Sequence, residues 1–131
     1  MLAPAEAELA RDDRAAVGRA VAQFNRGHYV ECHETLEEVW KRVPGPSRDF
    51  LQALIQVSVG FHHLERGNRV GALRTFTKAL GRFEAYPARY LGFDVANERA
   101  RLEGLRRALE TGNSPGLDPA PTWRFQEDPC D

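Results

Sequence analysis

The sequence predicts an all-α fold: a compact bundle of about five helices arranged as antiparallel helix hairpins, followed by an irregular, proline-rich C-terminal tail. Three observations lead there. Apolar residues recur at helical rather than alternating spacing along almost the whole chain. Ala, Leu, Arg and Glu dominate the stretches between breakers, and glycines or prolines stand where such helices would stop.

Each element follows from these signals in turn. A first helix is expected from about Asp13 to Asn25, with Val17, Ala20, Val21 and Phe24 on one face and Gly27 as its stop. A second runs from about His28 to Arg42 and is halted by the linker Pro44-Gly45-Pro46. Ser47 is read as the N-cap of a third, which continues to Arg66 and meets Gly67. Asn68 caps a fourth that ends before Pro87, and Tyr86 to Phe93 reads as an ordered, packed loop. A fifth helix follows Asp94, with Val95, Leu102, Leu105 and Leu109 as its stripe and Gly112-Asn113 as its end. From Ser114 the prolines at 115, 119, 121 and 129 deny a helix, leaving Trp123 and Phe125 as the only anchors. The expected organisation is one helical domain over residues 1–113 and a tail over 114–131.

Composition narrows the function classes. With 131 residues the chain fits one domain with a real core. Eighteen Lys and Arg against 19 Asp and Glu give a net charge of −1, which argues against nucleic acid as the partner. Cys32 and Cys130 are too few for a disulfide framework, and the first residues carry neither a basic nor an apolar targeting segment. The mostly apolar run from Phe50 to Leu64 is too short and too polar to span a bilayer, so the expectation is a reduced, cytoplasmic protein with no membrane role.

A weak repeat appears at an offset of 40 residues, where Gly27, Cys32, Leu36, Val39 and Trp40 superimpose on Gly67, Ala72, Phe76, Ala79 and Leu80. Gly60, Glu65 to Asn68, Ala72, Phe76 and Ala79 resemble a tetratricopeptide unit of two antiparallel helices. Two units are fewer than a solenoid needs, so the resemblance implies helix-hairpin packing.

The chemistry-bearing residues gather on the second and third helices. His33 and Glu37, at i and i+4, fall on the edge of the second helix's apolar arc beside Trp40, whereas Glu31, Glu34 and Glu38 form a solvated acidic face. The third helix is apolar except for a strip of Gln52, Gln56 and His63, within about 40° of one another on the wheel. His62 lies outside it, among Leu51, Ile55, Ser58 and Val59. A short connector makes the two helices antiparallel neighbours, which is expected to bring His33 and Glu37 to this strip. An imidazole and a carboxylate one turn apart can bind a divalent cation, and His63 or His62 would supply a third ligand while leaving a position for water. The same groups can instead form a metal-free hydrogen-bonded network. His33-Glu34-Thr35-Leu36-Glu37 is not a zincin helix, because Glu37 replaces the second histidine.

Phe24-Asn25-x-Gly27-x-Tyr29-x-Glu31-x-His33-Glu34-x-Leu36-Glu37-x2-Trp40, with Leu54-Ile55-Gln56, His63-x3-Gly67-Asn68 and Gly71-Ala72, resembles a family of uncharacterised small all-helical proteins of bacteria and archaea. Its hallmark is His-x3-Glu-x2-Trp or Tyr, and the match runs from about Val17 to Asp94. The resemblance implies an all-α bundle with the hallmark on His33, Glu37 and Trp40, a suspected metal site, and the label of a predicted metal-dependent hydrolase. As a metal site, the residues are expected to hold zinc, manganese or nickel through His33, Glu37 and His63. Glu37 or His33 acts on the substrate, Trp40 forms a wall, and Gln52 and Gln56 position the ligand. The rival reading is a tetratricopeptide-like interaction module in which the cluster only fixes helix packing, with a small molecule, a protein or a second copy of the chain as partner.

Other features have plain readings. Arg74, Lys78 and Arg82, at i, i+4 and i+8, are read as a solvated basic ridge, and Cys32 as an inert core thiol.

Overall fold

The structure is a computed structural model that describes residues 4–113, 115–117 and 120–126. Ser114, Pro119, Pro129 and Cys130, named above, and the chain's first three residues lie outside the described residues. Five helices form among the described residues: α1 Arg11–Asn25, α2 Tyr29–Trp40, α3 Gly45–Glu65, α4 Arg69–Phe83 and α5 Val95–Glu110. Each packs on the next in chain order.

The turns explain why the hairpins form. Arg26-Gly27-His28 and Arg66-Gly67-Asn68 fold alike, with φ of 79° at Gly27 and 76° at Gly67, a left-handed conformation that glycine adopts without a Cβ clash. The His28 amide donates to the Gln23 carbonyl at 2.9 Å and the Asn68 amide to the His63 carbonyl at 2.8 Å, closing the two helix ends identically. The 40-residue repeat is thus a repeat of turns.

Two contacts show that α3 runs antiparallel to α2: Tyr29 stacks on Phe61, with centroids 5.7 Å apart, and Arg48 lies 4.0 Å over the Trp40 ring. At the other side His63 meets Gly71 while Arg82 reaches Asp49 and Gln56, so α4 also runs antiparallel to α3. Consequently α2 and α4 point the same way on either side of α3.

Two expectations need correction. Ser47 does not cap α3: the helix begins at Gly45, with Pro44 as the cap residue and Pro46 in the first turn, where a missing N–H costs nothing. Ser47 is fully buried instead; its hydroxyl accepts from the Ala7 amide at 2.7 Å and shares a 2.9 Å hydrogen bond with the Tyr90 hydroxyl. The Tyr86–Phe93 connector is ordered and buries Tyr86, Tyr90, Leu91 and Phe93 as expected, but it also closes a small antiparallel hairpin, β1 Arg89–Tyr90 with β2 Phe93–Asp94. Leu91 (φ 51°) and Gly92 (φ 84°) make its turn, both on the positive side that a two-residue hairpin loop favours.

The tail crosses back over this body. Trp123 is buried and stacks on Phe24, with centroids 3.8 Å apart and planes 2° from parallel. Its amide donates to the Asn25 Oδ1 at 2.7 Å, and the Asn25 Nδ2 donates to the Trp123 carbonyl at 3.2 Å. Phe125 bridges Phe93, and the Gln126 amide reaches the Gly92 carbonyl at 2.9 Å. Backbone hydrogen bonds therefore tie the tail down along with its two rings.

Candidate functional site

The His33–Glu37 pair forms as its spacing requires, with Nε2 and Oε1 3.0 Å apart and both side chains partly exposed on the flank of α2. One turn further, Trp40 joins Glu37 on the wall of an open hollow of about 730 Å³, whose floor is the start of α3 (Gly45, Arg48, Asp49, Gln52) and whose far wall is Arg82 of α4. The Arg48 guanidinium covers the Trp40 ring face. Arg82 donates its Nε to the Gln56 Oε1 at 3.1 Å and pairs with Asp49 through another nitrogen.

The expected constellation is therefore divided. Glu37, Trp40 and Gln52 share the hollow, with His33 bonded to Glu37 behind it. Gln56 belongs to the network of α4, bonded to Arg82. His63 stands apart at the α3–α4 turn, where its Nδ1 lies 3.2 Å from the Asn68 Nδ2. The strip that holds Gln52, Gln56 and His63 is real, but the seven-residue step from Gln56 to His63 spans about 10 Å of helix axis. His62 is likewise engaged near its own helix end, 3.3 Å from Glu65. Among the described residues no three His, Cys, Asp or Glu side chains stand together so as to hold a metal ion. The described donors thus do not form the three-ligand site expected from the spacing of His33, Glu37 and His63.

Arg48, Asp49 and Arg82 belong to the hollow and were not singled out as site residues. Arg48 had a legible signal, since Arg48, Gln52 and Gln56 fall at i, i+4 and i+8 on one strip. Arg82 leaves the expected basic ridge to face α3, and only Arg74 and Lys78 remain exposed there.

Cys32 and Glu98 are among the buried ionisable groups that lie elsewhere. Burial pushes the Cys32 thiol up to about 12, against a smaller opposing hydrogen bond with Ser58, which suits an unreactive core residue. Glu98 is buried beneath the tail, where its Oε2 accepts from the Trp123 Nε1 at 3.0 Å and its Oε1 pairs with Arg101. Burial raises its pKa above the usual carboxylate range, opposed by Arg101 and by both hydrogen bonds.

Fold and site together define a mostly helical protein in which α1 to α4 form two stacked hairpins with a polar hollow across α2, α3 and α4. Residues 17–75 match the sequence profile of DUF309, a domain of unknown function, so this stretch of the chain is similar to that family. An uncharacterized protein of Aquifex aeolicus (strain VF5) is 28% identical over 113 residues, which is 86% of this chain and 32% of that protein. The uncharacterized protein YpuF of Bacillus subtilis (strain 168) is 38% identical over 86 residues, 63% of this chain and 49% of that protein. The chain spans half or less of the length of these relatives. No helix among the described residues is long and apolar enough to cross a membrane.

Proposed function

We propose that the chain is an interaction module whose contact surface is the hollow between α2, α3 and α4, and that His33–Glu37 is a metal-free hydrogen-bonded pair on its wall. The observation that carries this reading is the division of the constellation. A metal-dependent hydrolase needs at least a third protein ligand beside His33 and Glu37, and His63 is engaged by Asn68 at the other end of α3. The hollow has what a protein contact uses: an indole, two guanidiniums and two carboxylates around a Gln floor. Its openness suits a polypeptide better than an enclosed small substrate. The similarity of 86% and 63% of this chain to only part of two longer proteins also accords with a module.

The test is the melting temperature of tag-free protein with excess chelator and with added zinc, manganese or nickel, for wild type and Glu37→Gln. The module reading expects superimposable wild-type curves. Glu37→Gln then costs only about 0.5 kcal/mol under every condition, as for a partly exposed i,i+4 pair. A divalent-ion stabilisation that disappears in Glu37→Gln would overturn this reading and restore the metal-dependent hydrolase.

A further inference from the structure

The helices that flank the hollow are oppositely charged. Helix α2 carries four glutamates, Glu31, Glu34, Glu37 and Glu38, and no Lys or Arg. Helix α4 carries four cations, Arg69, Arg74, Lys78 and Arg82, and no Asp or Glu. On the outward faces Glu34 and Glu38 of α2 stand at the repeat positions of Arg74 and Lys78 of α4, and all four are exposed. Among the described residues Glu34, Arg74 and Lys78 make no ion pair, while Glu38 pairs with Lys41 at 3.3 Å in the open and also feels the charge of Arg42. Among the described residues the two exposed large hydrophobics, Val30 (43%) and Val70 (68%), occupy one further pair of repeat positions, at the head of each strip.

From this arrangement we infer that the partner of the module is a second copy of the same chain, docked so that the acidic strip of α2 lies on the basic strip of α4 and the reverse. The inference rests on the module reading above. Helices α2 and α4 run in the same direction on either side of α3. A two-fold axis parallel to them therefore lays α2 of one copy along α4 of the other, and the same operation makes the second contact. Like-charged strips meet if the axis is turned across the helices, so the charges select one arrangement and reject the other. The valines add an apolar contact at one end of each strip, and the hollow of each copy faces the other.

Sedimentation velocity of the full chain tests this. Wild type is expected to be dimeric at tens of micromolar in about 50 mM salt and to shift toward monomer near about 500 mM, as contacts between exposed charges are screened. E34K/E38K makes both strips basic and R74E/K78E makes both acidic, so each variant alone should dissociate about tenfold or more readily. All four positions are on the surface, so the helical far-UV signal should be unchanged in both. The two variants mixed in equal amounts should associate again, because each then meets its complement. A wild type that stays monomeric, or a mixture that stays as monomeric as its components, overturns the dimer. Either result leaves the module reading to the metal test, whose outcome does not depend on association.

Discussion

The α1–α2 and α3–α4 hairpins turn the chain with the same device and complete their packing with different ones. In the second, Gly60 lets α4 approach so closely that a Cβ there would overlap the Phe76 ring. The equivalent positions of the first are Ala20 and Leu36, both fully buried, so a methyl is added on one helix and a ring removed from the other. The ends differ too. Asn68 caps α4 by accepting the Gly71 amide at 2.9 Å, whereas His28 at the start of α2 makes no side-chain cap. Finally, the first hairpin is covered from outside by the tail, with Trp123 flat on Phe24. A shared turn therefore specifies the hairpin, and the volume at each interface is settled locally by complementary pairs.

The largest effect should come from removing that cover. Trp123→Ala takes away the ring stacked on Phe24 and leaves the buried Glu98 without its indole donor, so we expect a loss of about 3–5 kcal/mol in urea unfolding, with the helical signal retained in water. A loss under 1 kcal/mol would show that the first hairpin stands without the tail.

Next comes the close approach. Gly60→Ala should cost about 1–3 kcal/mol by overpacking against Phe76. Adding Phe76→Leu imposes the Ala–Leu pair of the first hairpin on the second and should recover at least half of it in the same unfolding assay. Worsening instead would mean that the two interfaces are not interchangeable.

The smallest effect concerns the caps. Asn68→Ala should cost about 1 kcal/mol, while His28→Asn, which carries the second hairpin's cap into the first, should add a few tenths to about 1 kcal/mol. Equal and negligible shifts in Tm would show that the glycine turns alone hold both helix starts.

The same comparison explains what could be read in advance. Gly27, Gly67 and Gly112 mark helix ends because each adopts a positive φ, and a glycine after an amphipathic run announces that in the sequence. The β1–β2 hairpin was not legible, since two-residue strands have no period to detect and one of its turn positions is a leucine, Leu91. Ser47 reads as a cap because serine is a preferred N-cap residue at the start of an amphipathic run, but its hydroxyl is used by Ala7 and Tyr90, from segments remote in sequence. At the site, i,i+4 spacing was enough to join His33 to Glu37. A helical wheel discards the axial coordinate, so it grouped His63 with Gln56 although they are two turns apart. Nor does it say which neighbour a flank meets, and Gln56 meets Arg82 of α4 rather than α2.

The reciprocal Asn25–Trp123 hydrogen bonds join residues 98 apart in sequence, and this separation bears on the order in which the molecule assembles. Closing so long a loop from an unstructured chain costs about 4 kcal/mol in chain entropy, before any contact offsets it. Once α1 to α5 have formed, the free loop is only the stretch between Glu110 and Thr122, and the same closure costs about 2 kcal/mol. The tail is thus kinetically a late arrival that docks on a preformed surface. The hairpins, closed by turns of a few residues, depend on none of that long-range search.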